Sequence, residues 1–320
     1  MVPSVPFNVG DTTCAACGIE GAFRRFAARE MMFGWRHDFT YVECPRCGTL
    51  QIDVPPSNLA DYYPSDYYSL MAPAVDIAGP NPVRRVAGRW LLSSRSRLAS
   101  RIVRGTFLHW MKLGAVRLSS WVLDIGCGNG ELLCRMRLWG FEHLVGIDPH
   151  MAGERDLEGL SLRRLELREV ASHFDLIMLH HVLEHLPSPV DTLKEVRERL
   201  RPGGRVLIRL PLAGSVPARE YGADWFHLDA PRHLVVPSLA GMRNLAHRAG
   251  LSIVHTEFDS SALSFRMSEA YRGGVALKEI TADPPAEQVR AWQVRAEALN
   301  QSGDADWGLF VLEAAQCCRT

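Results

Sequence analysis

The chain has 320 residues, 47% of them hydrophobic, and its 36 Lys+Arg balance 36 Asp+Glu to a formal net charge of +0. That length can bury one full α/β domain and a smaller module, and the neutral balance argues against a general nucleic-acid binder. No apolar run approaches a membrane span, and the start, MVPSVPFNVG, lacks a charged region followed by an apolar core, so a cytoplasmic protein with no membrane partner is expected.

The N-terminal segment carries C-A-A-C-G at 14–18 and C-P-R-C-G at 44–48. A C-x-x-C knuckle presents two thiolates to one tetrahedral ion, and the glycine after it permits the turn. Two such knuckles predict a four-cysteine zinc ribbon over residues 1–57, with Cys14, Cys17, Cys44 and Cys47 holding a structural Zn2+. Phe23, Phe26, Trp35, Phe39 and Tyr41 are available as its small core. Arg24, Arg25, Arg29, Arg36 and Arg46 lack the aromatic alternation of a base-stacking surface, which favours a stabilising or substrate-shaping appendage.

Residues 58–118 are expected to be a linker followed by basic amphipathic helices. Six prolines fall within 53–82, and DYYPSDYYSL contains four tyrosines, a composition suited to a linker packed on another surface. The sharper alternative has those rings at a substrate entrance. From Val83 to Arg117 there are nine basic residues and no acidic one. Val83, Val86, Trp90, Leu91, Leu98 and Ile102 recur at near-helical spacing, which predicts one or two helices docked through that face. The arginines (Arg84, Arg85, Arg89, Arg95, Arg97, Arg101, Arg104) then form a solvated face or, as the sharper alternative, bind an anion such as a nucleotide diphosphate.

Residues 121–133, WVLDIGCGNGELL, read as a buried strand, a glycine turn and a helix start. Glycines at 126, 128 and 130 let a ligand lie against the backbone, and the free N–H groups of the first helical turn face it. The strand His143 to Ile147 ends in Asp148, where a carboxylate can accept from both hydroxyls of a ribose. FDLIML (174–179), HHVLEHLPSP (180–189) and LRPGGRVLIRLP (200–211) follow in order. The D-x-G-x-G-x-G pattern with these three segments resembles class I S-adenosylmethionine (SAM) dependent methyltransferases with an N-terminal zinc ribbon, in particular polysaccharide, secondary-metabolite and nucleotide-sugar enzymes.

That resemblance implies an α/β fold: a Rossmann-like seven-stranded sheet over residues 119–320, with a substrate lid inserted at about 212–237. It implies SAM as cofactor, held by Asp124, Gly126, Cys127, Gly128, Gly130 and Asp148, with His180 or His181 beside the adenosine; Glu166 is the candidate at the adenine amine. The expected lid concentrates Trp225, Phe226, His227, Asp229, Arg232 and His233. In similar zinc-ribbon enzymes a histidine at the position of His233 serves as base, so His233, then His227 and His185, are the candidate general bases; their neighbouring Glu is Arg232 here.

H-x-x-E-H at 181–185 has a rival reading as a metallopeptidase helix. A nearer variant is a metal-assisted methyltransferase with Glu184 and His185 as ligands. The aromatic, histidine-rich lid and the zero net charge favour methyl transfer to a small-molecule acceptor, such as a sugar, a nucleotide-sugar or a secondary-metabolite intermediate. The alternatives are an RNA methyltransferase, which the basic 83–117 stretch supports, and a non-catalytic SAM-binding interaction protein. Leu251 to Phe258 and Trp307 to Glu313 should close the sheet as an antiparallel hairpin around a helical excursion at about 263–300, and Cys317 and Cys318 read as exposed thiols.

Overall fold

A computed structural model describes residues 12–64, 79–94 and 96–315. Arg95, Tyr67, Tyr68, Cys317 and Cys318 lie outside them. Short antiparallel strands build the N-terminal module: β1 (Thr12–Thr13) pairs β2 (Glu20–Gly21), and β3 (Arg24–Arg29), β4 (Asp38–Glu43) and β5 (Leu50–Ile52) form a meander. α1 (Pro82–Ser93) starts where the Asn81 side chain accepts from the Arg84 N–H, with proline in its first turn, and α2 (Arg97–Val103) starts at Ser96 in the same way. α3 (Phe107–Leu113) then leads into the main sheet.

That sheet alternates β6 (Trp121–Ile125), α4 (Glu131–Leu138), β7 (His143–Ile147), β8 (Arg155–Leu157), β9 (Leu160–Arg163), β10 (Phe174–His180), α5 (Pro189–Glu198) and β11 (Leu200–Pro211). α6 (Val216–Tyr221), β12 (Val235–Val236) and α7 (Leu239–Arg248) follow. Then come β13 (Leu251–Phe258), α8 (Ala262–Arg272), α9 (Ala286–Ser302) and β14 (Trp307–Ala314). The order is β13-β14-β11-β10-β6-β7-β9-β8. The five central strands are parallel, while β14 runs antiparallel to both β11 and β13, as the closing hairpin requires. The sheet therefore has eight strands rather than the expected seven. The addition is β8, three residues that fold back on β9 at the edge.

Two findings reshape the expected organisation. First, the insertion after β11 contributes β12 to the N-terminal sheet, whose order is β12-β5-β4-β3. Ser238, the cap of α7, also donates to the Cys47 carbonyl, and Arg248 at the end of α7 donates to the Ala15 and Ala16 carbonyls, each at 3.0 Å. Cys14, Cys44 and Cys47 share a core with Leu179, Leu183, Met242 and Leu245, so module, lid and main sheet pack as one body.

Second, the helical face expected to dock does so only through Leu91. Val83, Val86 and Leu98 are 78%, 72% and 63% exposed, and Trp90 and Ile102 are also exposed; Ala99 and Val103 join Leu91 in facing the core. Gly88 lets α1 approach the end of α4 closely, because a Cβ there would sit 3.3 Å from the Trp139 ring and carbonyl. Among the described residues no helix is long and apolar enough to cross a membrane.

Candidate functional site

The glycine turn at the end of β6 has the shape a nucleotide-type ligand needs. Gly126 and Gly130 hold φ of 65° and 77°, a region L-residues avoid. A Cβ at Gly126 would lie 2.5 Å from Val182, and one at Gly130 would lie 2.5 Å from Leu162. Asp148 closes the turn: one carboxylate oxygen accepts from the Gly128 N–H at 3.0 Å and the other from the His150 N–H at 2.8 Å. Asp124 lies buried beneath; burial and the nearby Asp148 push its carboxyl up to about 8. Burial likewise pushes the Cys127 thiol up, so it is a neutral wall rather than a nucleophile. Glu166 caps a short 3-10 turn and pairs with Arg168 at 3.0 Å, an exposed arrangement that points to no ligand.

The strand register sets Leu179 beside Ile125, so His180 follows on beside Gly126. Its ring lies 4.7 Å from Trp110, and neither ring nitrogen has a hydrogen-bond partner despite burial. Burial, with Arg209 and His181 nearby, lowers it to about 3, so it is neutral. Two unpartnered polar atoms at a glycine turn fit a polar ligand group there. His181 turns the other way, with φ of 55°. Its Nε2 accepts from Arg209 at 3.1 Å, and Arg209 is held by Asp259 at 2.6 Å and lies over the rings of Trp307 and Trp110 at 4.1 and 5.5 Å. Residues 183–185 form a 3-10 turn, so H-x-x-E-H does not share one helical face, which removes the geometry of the metallopeptidase reading.

The remaining candidates meet under the lid. His185 donates from Nδ1 to the Arg232 carbonyl at 3.0 Å, and the Tyr63 hydroxyl lies 3.0 Å from the same nitrogen. His233 donates from Nδ1 to the His227 carbonyl at 2.7 Å, and Tyr41 donates to the His233 carbonyl at 2.7 Å. Carbonyl oxygens only accept, so the lone pair of both imidazoles falls on Nε2. Burial lowers His185 to about 4 and lowers His233, leaving both neutral. His227 differs: the Trp307 indole donates to its Nδ1 at 3.1 Å, and its Nε2 lies 3.7 Å from Asp306. Its Nδ1 lone pair is taken by the indole, and its carbonyl accepts from His233 Nδ1.

Arg232 is fully buried and pairs with Glu30 at 2.9 Å and Asp229 at 2.6 Å. It pins the lid to the N-terminal module rather than facing a ligand. Tyr63 stacks on His150 at 6.4 Å and so links the Asp148 turn to His185, whereas Tyr62 is buried packing against Trp35 and Phe39. Sequence reasoning did not find Glu30, Trp110, Arg209 or Trp307 as part of this site. They come from distant segments and carry no local motif.

The cysteines converge as expected from their spacing. Cys14 Sγ lies 3.6 Å from Cys47 Sγ, and Cys17 Sγ lies 3.6 Å from Cys44 Sγ. Both separations far exceed a disulfide at about 2.05 Å and match the ~3.8 Å edge of a tetrahedron of thiolates around zinc. The knuckles are alike: Gly18 and Gly48 donate their N–H groups to the Cys14 and Cys44 carbonyls at 2.9 and 2.8 Å.

The sequence pattern of the family described as "Methyltransferase domain" matches residues 97–256, half of the chain. The tRNA U34 carboxymethyltransferase of Pseudoalteromonas translucida (strain TAC 125) is 32% identical over 154 residues, 42% of this chain and 45% of that protein. The enzyme of the same name from Azotobacter vinelandii (strain DJ / ATCC BAA-1303) is 32% identical over 150 residues, 40% of this chain and 44% of its own length. The chain thus spans less than half the length of these curated relatives. Coclaurine N-methyltransferase, solved with N-methylheliamine and SAH, overlays with a TM-score of 0.44 at 16% identity, over 69% of this chain and 74% of its own.

These relatives overturn the expected acceptor. The aromatic, histidine-rich lid and the zero net charge favour a small-molecule acceptor, nucleotide-linked or otherwise, over nucleic acid; the relatives are named for modifying tRNA. Whole-chain charge is an average and does not register a local basic face. The chain belongs to the methyltransferase-domain family, which places its enzymatic class among the SAM-dependent methyltransferases.

Proposed function

We propose that this protein transfers a methyl group from SAM to RNA, with tRNA as the class of acceptor. The observation that carries this reading is that the relatives similar over about 40% of the chain are named for modifying tRNA. The transferred group is methyl in this reading because the methyltransferase family is the one that matches. The surface supports it: Arg84, Arg89, Arg97, Arg101 and Arg104 are all exposed along α1 and α2, without an acidic residue between Val83 and Arg117. Exposed Val86, Trp90 and Ile102 lie on the same helices. Phosphates take such arginines bidentately, and an exposed indole offers a face to a base.

SAM supplies an electrophilic methyl on a positive sulfur. The chain's own residues orient the reactants and accept a proton. Gly126, Gly128 and Gly130 admit the donor to the backbone, and Asp148 is placed for its ribose. His180 offers unpartnered ring nitrogens in the same crevice. Trp110, Arg209 and Trp307 form a wall beside His181. His233 and His185 are the proton acceptors in this reading, since each is neutral with its lone pair free on Nε2. We infer that the four cysteines hold zinc, and that the metal maintains the module from which Glu30 and Tyr41 reach the lid.

The test is tRNA affinity against salt, with calorimetric SAM binding in parallel. Neutralising Z phosphates gives a log–log slope of about −0.9Z on duplex nucleic acid. The double variant Arg97→Glu/Arg101→Glu should therefore weaken tRNA binding and flatten that slope by about two contacts, with SAM affinity unchanged. A protein that binds SAM but shows no salt-dependent tRNA affinity refutes the reading.

A further inference from the structure

Behind Tyr63, three hydrogen-bond acceptors meet with no hydrogen bond among them. Glu184 is 0% exposed, and neither of its carboxylate oxygens has a hydrogen-bond partner. One nitrogen of His185, one of His233 and one oxygen of Glu184 all lie within 4.8 Å of one another. Both imidazoles give their Nδ1 hydrogen to a backbone carbonyl, Arg232 for one and His227 for the other. The lone pair left to each ring is therefore on Nε2, and the bare Glu184 carboxyl and His233 are buried with His185 half-buried beside them. Such an arrangement is repulsive and poorly solvated unless a cation stands among them.

The surrounding contacts are those of a prepared ligand set. Orientation of the far ring nitrogen by a carbonyl is the recurring support of metal-bound histidine. His181 Nδ1 approaches Glu184 at 3.4 Å without hydrogen-bond geometry, and Asp229, 3.9 Å from His233 Nε2, is already engaged by Arg232. Ligands on one ion with bonds of ~2.0–2.2 Å stand ~3–4 Å apart, so small side-chain rotations close the site.

We propose that Glu184, His185 and His233 form a second metal site, distinct from the four cysteines, that takes a divalent transition-metal ion through two imidazoles and one carboxylate. Neutral imidazole and carboxylate donors suit zinc, iron, manganese or cobalt, and three protein ligands leave positions open for water or an acceptor oxygen. Glu184 and His185 follow β10, and His233 belongs to the lid, so the ion also ties the lid to the sheet. The site does not depend on which acceptor the enzyme uses, and a bound ion would replace His185 and His233 as proton acceptors, because one Nε2 lone pair cannot serve both.

Cobalt reconstitution of the purified full chain under reducing conditions tests this, because Co2+ reports its ligands. Thiolate charge-transfer absorption marks cobalt at the cysteines, and bound cobalt without that band marks nitrogen and oxygen ligands. The expected result is cobalt in excess of the thiolate-bound ion, approaching two ions per chain. His233→Ala and Glu184→Gln should remove the non-thiolate ion while the thiolate band persists, which also shows that the variant is folded. If all cobalt bound by the wild-type chain is thiolate-bound, the three acceptors share a proton and the metal site is refuted, whatever the outcome with RNA.

Discussion

Removing Arg232 should unfold the contact between the N-terminal module and the lid. Its guanidinium donates to Glu30 Oε1 at 2.9 Å, to Asp229 Oδ1 at 2.6 Å and Oδ2 at 3.0 Å, and to the Tyr62 carbonyl at 3.3 Å. Arg232 and Glu30 are both 0% exposed. In Arg232→Met two buried carboxylates lose the guanidinium that pairs with both, and breaking a buried pair from one side costs about 3–5 kcal/mol. Glu30→Gln is milder. It keeps an oxygen for the Met32 and Phe33 N–H groups and leaves Arg232 paired with Asp229, but loses the hydrogen bond from the Trp35 N–H to Oε2, a charged hydrogen bond worth about 1.5–3 kcal/mol. Urea unfolding followed by tryptophan fluorescence should give that order, with unchanged m. The Arg232 carbonyl also holds His185 Nδ1, so both variants should lower kcat more than SAM affinity. An Arg232→Met protein within 1 kcal/mol of wild type, or one more stable than Glu30→Gln, refutes the reasoning.

Asp148→Ala frees the Gly128 and His150 N–H groups and removes the ribose acceptor; calorimetry should show SAM affinity falling tenfold or more, about 1.4 kcal/mol or greater. Gly130→Ala places a Cβ 2.5 Å from Leu162 at φ 77°, and overpacking of this kind costs about 1–3 kcal/mol in unfolding experiments. Glu220 joins the lid helix α6 to α9, and the hydrogen bond from Arg295 at 3.1 Å holds its carboxyl below the ordinary value. A depressed carboxyl contributes stability above its unfolded pKa of about 4.3, and that contribution is lost as pH falls through the folded value. Glu220→Gln should therefore flatten the acid limb of the stability curve, and an unchanged limb would exclude the pair as its source.

The main sheet was legible in the sequence because its strands are continuous apolar runs separated by glycine turns, a local pattern that survives without tertiary context. Gly126, Gly128, Gly130 and Asp148 belong to that class. The docking face of α1 and α2 was not legible. Arginines alternate with apolar residues all around these helices, so spacing alone found Leu91 but did not show that Gly88, Ala99 and Val103 face inward while Val83 and Val86 face out. The role of Arg232 was hidden for a different reason: its partner Glu30 lies 202 residues away, and nothing local distinguishes a buried arginine from an exposed one.

The same distinction between local and averaged signals explains the acceptor. Equal counts of acid and base describe the chain as a whole, yet electrostatic attraction to a polyanion acts over about 8–10 Å in physiological salt. What a phosphate backbone meets is therefore the face it approaches. Along α1 and α2 that face carries Arg84, Arg89, Arg97, Arg101 and Arg104 in the exposed state. The compensating acids lie elsewhere and are largely committed: Glu43 to Arg24, Asp53 to Arg25, Asp156 to Arg163, Glu220 to Arg295 and Glu313 to Arg205. Among the described arginines of α1 and α2, only Arg85 pairs with an acid, Glu142. Zero net charge is thus compatible with a strongly basic surface, because the acids neutralise arginines on other elements and leave these two helices positive.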